Sequence, residues 1–252
     1  LTSYNVFVSL EELKGLCQRG AKAIAVFGSY VRAKDYVEGV SDLNVFALTR
    51  DKQLLLELAS MGYSPVMLDE ESLRQLCEAG DPLCYYVLYD SKVLCGSLPR
   101  VSFKLTDGTC RKLRDQAINS FCFAIESHFR SDELNSVRYA FKAIKLSVAY
   151  RVCRDKNRVI VSNDEAESSC KELNLAGCSE MKDLLMMMRL KLKLTTWALD
   201  RIAQALSNNL DLPVPTASDL MREYGDYVAK LVYDNGVWRV LLKDGKWDSF
   251  KK

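Results

Sequence analysis

The sequence predicts an α+β protein, with a small mixed-sheet domain first, a helical bundle after it and a short β-meander tail. Three observations carry this reading. Residues 1–98 alternate short apolar runs, bounded by turn residues, with stretches of helical period. From Thr109 to about Leu210 nearly every segment has helical period. The final stretch carries the hairpin dipeptides Asn235-Gly236 and Asp244-Gly245. The domain limits read as 1–98, 99–212 and 213–252.

Taken in order, "SLEELKGLCQRG" reads as a helix with Ser9 as its cap, Glu12 three residues on and Gly20 as its stop. "AKAIAVFGS" and "DLNVFALT" are short and apolar enough to be buried strands. "DKQLLLELASMG" repeats the helical scheme, with Asp51 as cap and Gly62 as terminator. "SPVMLD" is a third strand, followed by the short helix "EESLRQLCEAG". "DPLCYYVLYDSKVLCG" then gives a helix from Asp81 and a strand around Lys92–Cys95. In the bundle, Leu134, Val137, Phe141, Ile144, Val148 and Val152 recur three or four apart and mark one buried face. Met181, Leu185, Met188, Leu192, Leu199, Ile202 and Leu206 do the same further on. Leu190, Leu194 and Trp197 fall on another face there, so that segment is expected to be buried on more than one side, with Met186–Met188 as core filler. "LDLPVPTASD" reads as the linker to the tail.

A chain of 252 residues can bury a sizeable core. Its 48% hydrophobic and 27% charged content suits an ordinary globular protein. A formal charge of +2 is too small to imply nucleic-acid binding by bulk electrostatics, and composition does not show whether a local basic patch exists. The opening residues lack the basic-then-apolar pattern of a leader, and no stretch approaches the ~18 apolar residues of a membrane span. A cytoplasmic protein with no membrane partner is therefore expected. The nine cysteines are scattered without a C-x-x-C, which predicts reduced, mostly buried thiols. His128, the single histidine, has no cysteine closer than Cys122, so no zinc cluster is expected.

One stretch carries chemistry. After the first strand, Gly28-Ser29 makes a turn where the backbone can approach a ligand, leading toward a helix start that favours anions. Arg32 follows as a phosphate partner. A dozen residues later Asp42 and Asn44 lie two apart on a strand and share one face. Oxygen ligands opposite a phosphate-binding turn suit Mg²⁺ and a triphosphate.

"FGSYVR…SDLNVFAL" resembles the signature of the DNA polymerase β-type nucleotidyltransferase superfamily, especially its minimal branch. It does so through Gly28, Ser29, Arg32, Ser41, Asp42 and Asn44. The resemblance implies a nucleotidyltransferase-like fold over about 1–98, followed by a helical domain as in aminoglycoside nucleotidyltransferases and paired HEPN-type modules. It implies nucleotide contacts from Gly28, Ser29, Arg32 and Ser41, Mg²⁺ held by Asp42 and Asn44, and Asp42 as the catalytic carboxylate. The family places a third carboxylate on a neighbouring strand; here the first acid of "SPVMLDEE" is Asp69, which reads as the cap of the next helix. Asn44 stands where the family has an aspartate, keeping a carbonyl oxygen but losing a charge that a hard dication depends on. The bundle lacks the Arg-x4–6-His motif of HEPN ribonucleases.

Two functional readings follow. The first is a Mg²⁺-dependent nucleotidyltransferase that moves a nucleoside monophosphate from an NTP to the hydroxyl of an unspecified acceptor. The second is a catalytically degenerate protein of that fold, serving as a nucleotide-binding or protein-interaction module. A homodimer or a partner protein would engage the helical domain.

Overall fold

The computed structural model describes residues 10–250. The proposed Ser9 cap lies outside them. The chain divides into two compact units, Leu1–Thr109 and Cys110–Lys252.

In the first unit, α1 (Leu10–Gly15) runs into a 3₁₀ turn, and Gly20 stops it at φ 102°. β1 (Ala23–Phe27) follows, then β2 (Asn44–Leu48), α2 (Lys52–Ser60), β3 (Ser64–Leu68), α3 (Glu70–Glu78), α4 (Pro82–Tyr89) and β4 (Ser91–Gly96). The helix starts have the chemistry their sequences announce. Asp51, Asp69 and Asp81 each accept a hydrogen bond from a backbone N–H of the first turn of α2, α3 and α4. The sheet is mixed, in the order β3-β2-β1-β4. β1 is antiparallel to both β2 and β4, while β2 and β3 are parallel and joined through α2.

Every residue of β1 is buried, because helices cover both faces of the sheet. The pleat sorts the side chains. Ile24, Val26, Val45 and Ala47 pack with Leu13, Leu54 and Leu58 on one side. Ala23, Ala25, Phe27, Phe46 and Leu48 pack with Leu73, Cys84 and Val87 on the other.

The second unit contains α5 (Asp107–Phe129, from Cys110 on), α6 (Glu133–Lys156), α7 (Asn163–Glu172), α8 (Cys178–Leu190), α9 (Thr196–Leu210) and α10 (Ala217–Tyr224). Val137, Phe141, Ile144, Val148 and Val152 are all buried along α6. The residues read as a linker to the tail carry buried Leu212 and Val214, and Trp238 Nε1 donates to the Pro213 carbonyl at 2.7 Å. β5 (Val228–Asp234), β6 (Val237–Leu242) and β7 (Trp247–Phe250) form an antiparallel meander. Its first hairpin turns on Asn235 and Gly236, both at positive φ as the dipeptide requires. Among the described residues no helix is long and apolar enough to cross a membrane.

Two expectations are corrected. Eight cysteines are paired, as Cys17–Cys95, Cys77–Cys84, Cys110–Cys153 and Cys170–Cys178, leaving Cys122 as a buried free thiol. Two of these pairs join residues far apart in sequence, so spacing could not reveal them. The helical pattern over 181–206 is also not one doubly buried element. α8 ends at Lys191 in the left-handed region (φ 51°), and Thr195 caps a new helix. Met181, Leu184 and Met188 face the core, but Met186, Leu190, Leu192 and Trp197 stand in solvent. Of the three consecutive methionines only Met188 is core filler.

Candidate functional site

The residues of the signature gather at one end of the first unit's sheet. Gly28 follows β1 directly at φ 80°, a conformation only glycine takes without strain. The close approach is to Asn44: a β-carbon at position 28 would lie 3.2 Å from Asn44 Nδ2. The register explains the meeting, since Phe27 pairs with Asn44 across β1 and β2. Gly28, Ser29 and Asn44 are therefore brought together.

The surroundings differ from the sequence-based expectation in three ways. Gly28–Val31 form a single 3₁₀ turn rather than the start of an α-helix, so aligned peptide dipoles are not available to an anion there. Asp42 lies ahead of β2, which begins at Asn44, so the two are not both on the strand. The helix-turn groups are engaged internally: Gly28 N–H donates to the Asp90 carbonyl at 3.2 Å, and Ser41 Oγ accepts from Val37 N–H at 3.0 Å.

Arg32 is the most tightly engaged of all. Its Nε donates to Asp35 Oδ2 at 2.7 Å, and its Nη1 donates to Asp90 Oδ1. Asp35 and Asp90 are both buried, and the Arg32 side chain is only 20% exposed. Burial disfavours the guanidinium charge, but the hydrogen bonds that Arg32 donates to Asp90 and Asp35, with their charges, outweigh it and hold the Arg32 pKa above its usual value. One cation between two buried carboxylates has no charge to spare for a phosphate. Asp90 was invisible to sequence reasoning because it sits 58 residues further along, in an unremarkable "LYDSK".

A hard dication bound by protein oxygens relies on carboxylates. At this sheet end Asp35 and Asp90 are taken up by Arg32; beside them stand the Asp42 carboxylate and the Asn44 amide, and the residue paired with Asn44 on β3 is Ser64. No acid follows on β3 until Asp69, at the far end of the strand. There Asp69 accepts from Ser72 N–H at 2.8 Å and from Arg50 Nε at 2.9 Å. Those bonds, the Ser72 backbone bond first, lower its pKa to about 2. It is a helix cap, as the sequence suggested. Among the described residues no three His, Cys, Asp or Glu side chains cluster as metal ligands. The donor set does not fit a Mg²⁺ site of the two-carboxylate kind.

A separate groove of about 560 Å³ lies at the opposite end of the parallel pair, beyond Leu48 and Leu68. Sequence reasoning did not single it out. Its charged lining is internally matched, Arg50 with Asp69, Lys22 with Glu70 and Arg74 with Glu71. Asp51, the cap of α2, is the remaining carboxylate of the lining, which leaves the groove with an excess of one negative charge and no cation unmatched for an anionic ligand.

Comparison with protein-family models and with curated proteins finds no match to this chain.

Proposed function

We propose that the first unit is a catalytically degenerate nucleotidyltransferase-like domain that serves as a nucleotide-binding or protein-interaction module. The observation that carries this is the enclosure of Arg32 between buried Asp35 and Asp90. The cation that the signature would direct at phosphate instead stabilises the loop after β1. Asp35 and Asp90 are taken up by Arg32, and position 44 carries an amide where the signature has a second carboxylate beside Asp42; this supports the same reading, since phosphoryl transfer of this type needs charge concentrated around the metal. The mixed sheet agrees with the fold the signature implies, and fold is separable from activity.

Calorimetric titration with ATP, GTP, CTP and UTP, with and without Mg²⁺, tests the reading. It should be paired with a pyrophosphate assay over small hydroxyl compounds, hydroxyl-bearing peptides and RNA 3′ ends. No metal-dependent binding and no pyrophosphate release are expected. Asn44→Asp restores a carboxylate pair and should raise Mg²⁺ affinity about tenfold. Mg²⁺-dependent NTP binding that vanishes in Asp42→Ala, together with pyrophosphate release, would overturn the proposal in favour of an active transferase. Metal-independent NTP binding would make nucleotide, not protein, the ligand of the module.

A further inference from the structure

The connection between α8 and α9 combines exposed apolar surface with positive charge. Twelve large hydrophobic side chains are exposed among the described residues. Four of them, Met186, Leu190, Leu192 and Trp197, fall in this one stretch at 55%, 61%, 48% and 66% exposure. Single exposed hydrophobics are ordinary, whereas a gathered set marks an interaction surface.

Local structure holds the set in place. Met186 and Leu190 are one turn apart on α8 and share a face. The helix then stops at left-handed Lys191, and Leu192 N–H bonds back to the Met187 carbonyl at 2.9 Å. Leu194 is buried and pins the connection. Thr195 Oγ1 accepts from Ala198 N–H at 3.2 Å and so caps α9 two residues before Trp197. The Arg201 guanidinium lies 5.0 Å from the Trp197 ring centroid and also pairs with Glu180, steadying the indole.

Charge and shape decide what this surface fits. Residues 186–197 contain Arg189, Lys191 and Lys193 and no acid; Lys193 has Glu133 as an ion-pair partner. A symmetric contact with a second copy would set these cations against their own images. Nucleic-acid bases stack on aromatic rings, but three of the four exposed side chains are aliphatic. A bound peptide seeks a groove, whereas these side chains project from a helix end and the loop beyond it. An anionic lipid surface suits these features: aliphatic side chains enter the acyl boundary, the indole sits at headgroup level, and the Lys191 stem, at the exposed helix end, reaches back to lipid phosphates, while Arg189 and Lys193 are engaged within the protein.

We infer that the α8–α9 connection docks this protein peripherally on anionic membranes. Docking of this kind needs no spanning helix; it departs from the sequence-based expectation of no membrane partner and leaves the absence of a span as it stands. It is independent of the reading of the first unit.

The test is co-sedimentation of the full chain with phosphatidylglycerol vesicles and with phosphatidylcholine vesicles, over a range of salt. Binding to the anionic vesicles that weakens with salt, and at least about tenfold weaker binding to the neutral ones, is expected. The double variant Leu190→Asp/Leu192→Asp should lose at least about tenfold, and Lys191→Glu at least about fivefold. Leu56→Asp, a still more exposed change on α2, should bind as wild type. Circular dichroism confirms that each variant is folded. Tryptophan emission should shift to the blue on anionic vesicles, and Trp197→Phe should abolish the shift. Equal binding to both vesicles, no binding to either, or binding indifferent to Leu190→Asp/Leu192→Asp would overturn the inference. Self-association in sedimentation velocity that disappears in Leu190→Asp/Leu192→Asp would also overturn it, in favour of a second copy.

Discussion

The two units treat charge and apolar surface in opposite ways. In the first, an arginine and two aspartates are drawn inside at the sheet end, and the groups that could meet a ligand bond to one another. In the second, arginines pair mostly at the surface, and a set of large apolar side chains is left outside. A buried ion cluster fixes a conformation at a cost in desolvation, and removing one member leaves uncompensated charge. An exposed apolar set costs solubility and is kept where something covers it. The difference teaches that the polar residues of the first unit's motif are held in internal hydrogen bonds, while the second unit's helices carry the more accessible apolar surface.

The largest effect that can sharpen this comparison comes from the disulfides, which each unit holds in one long-range and one short-range form. Cys17–Cys95 and Cys110–Cys153 close loops of 78 and 43 residues; Cys77–Cys84 and Cys170–Cys178 close loops of 7 and 8. Loop-closure entropy assigns about 4–4.5 kcal/mol to each long loop and about 2.5 kcal/mol to each short one. Thiol titration of the denatured, unreduced chain should find a single thiol, Cys122. Reduction should then lower Tm, and the serine pairs at 17/95 and 110/153 should each lose more stability than those at 77/84 and 170/178. Nine reactive thiols in the untreated protein would remove the bridges from the account altogether.

A like-for-like substitution separates the units next. Arg32→Ala removes the cation paired with buried Asp35 and Asp90, and a loss of about 3–5 kcal/mol is expected in urea denaturation. Arg154, also flanked by two aspartates, Asp155 and Asp211, is 39% exposed, and Arg154→Ala should cost no more than about 1 kcal/mol. Similar losses at the two sites would mean that Arg32 is solvated and available to a ligand, reopening the nucleotide reading.

Much of the fold was legible in the sequence, for identifiable reasons. The strands of the first unit are apolar because helices cover both faces, so "AIAVF" and "NVFAL" announce themselves. Aspartate caps and left-handed glycines are local chemistry and read equally well. What escaped is what depends on tertiary approach. Asp90 reaches Arg32 only because β4 runs beside β1. The break at Lys191 escaped because a lysine, not a glycine, takes the left-handed position. Exposure of Leu190 and Leu192 could not be read either, since an apolar residue at helical spacing looks the same whether a neighbour covers it or not. At the candidate site the sequence correctly brought Gly28 and Asn44 to one place, but the occupation of Arg32 needed coordinates.

The smallest effect is one of pH. His128, near the end of α5, is half-buried, and its Nε2 lies 3.2 Å from Thr196 Oγ1, beside the exposed Trp197. Burial lowers its pKa from the ordinary 6.5, with Asp200 pulling weakly the other way. The folded state therefore takes up its proton at lower pH than the unfolded state does, and between the two values the unfolded chain binds more protons. Stability from this group is fully present above pH 6.5 and is lost as pH falls through the lowered value. In the first unit Asp69 behaves similarly but much lower, holding until pH drops from the normal carboxylate value of 3.8 toward 2. Mild acid should thus remove the His128 contribution in the second unit well before it reaches the Asp69 contribution in the first. Glu126, whose carboxyl burial pushes up, opposes His128 in the same unit, so the measurement compares wild type with His128→Gln. Urea denaturation at pH 8 and at pH 5 should show wild type losing more stability on acidification than His128→Gln. Equal losses would mean that the imidazole is solvated at the base of the apolar connection rather than enclosed by it.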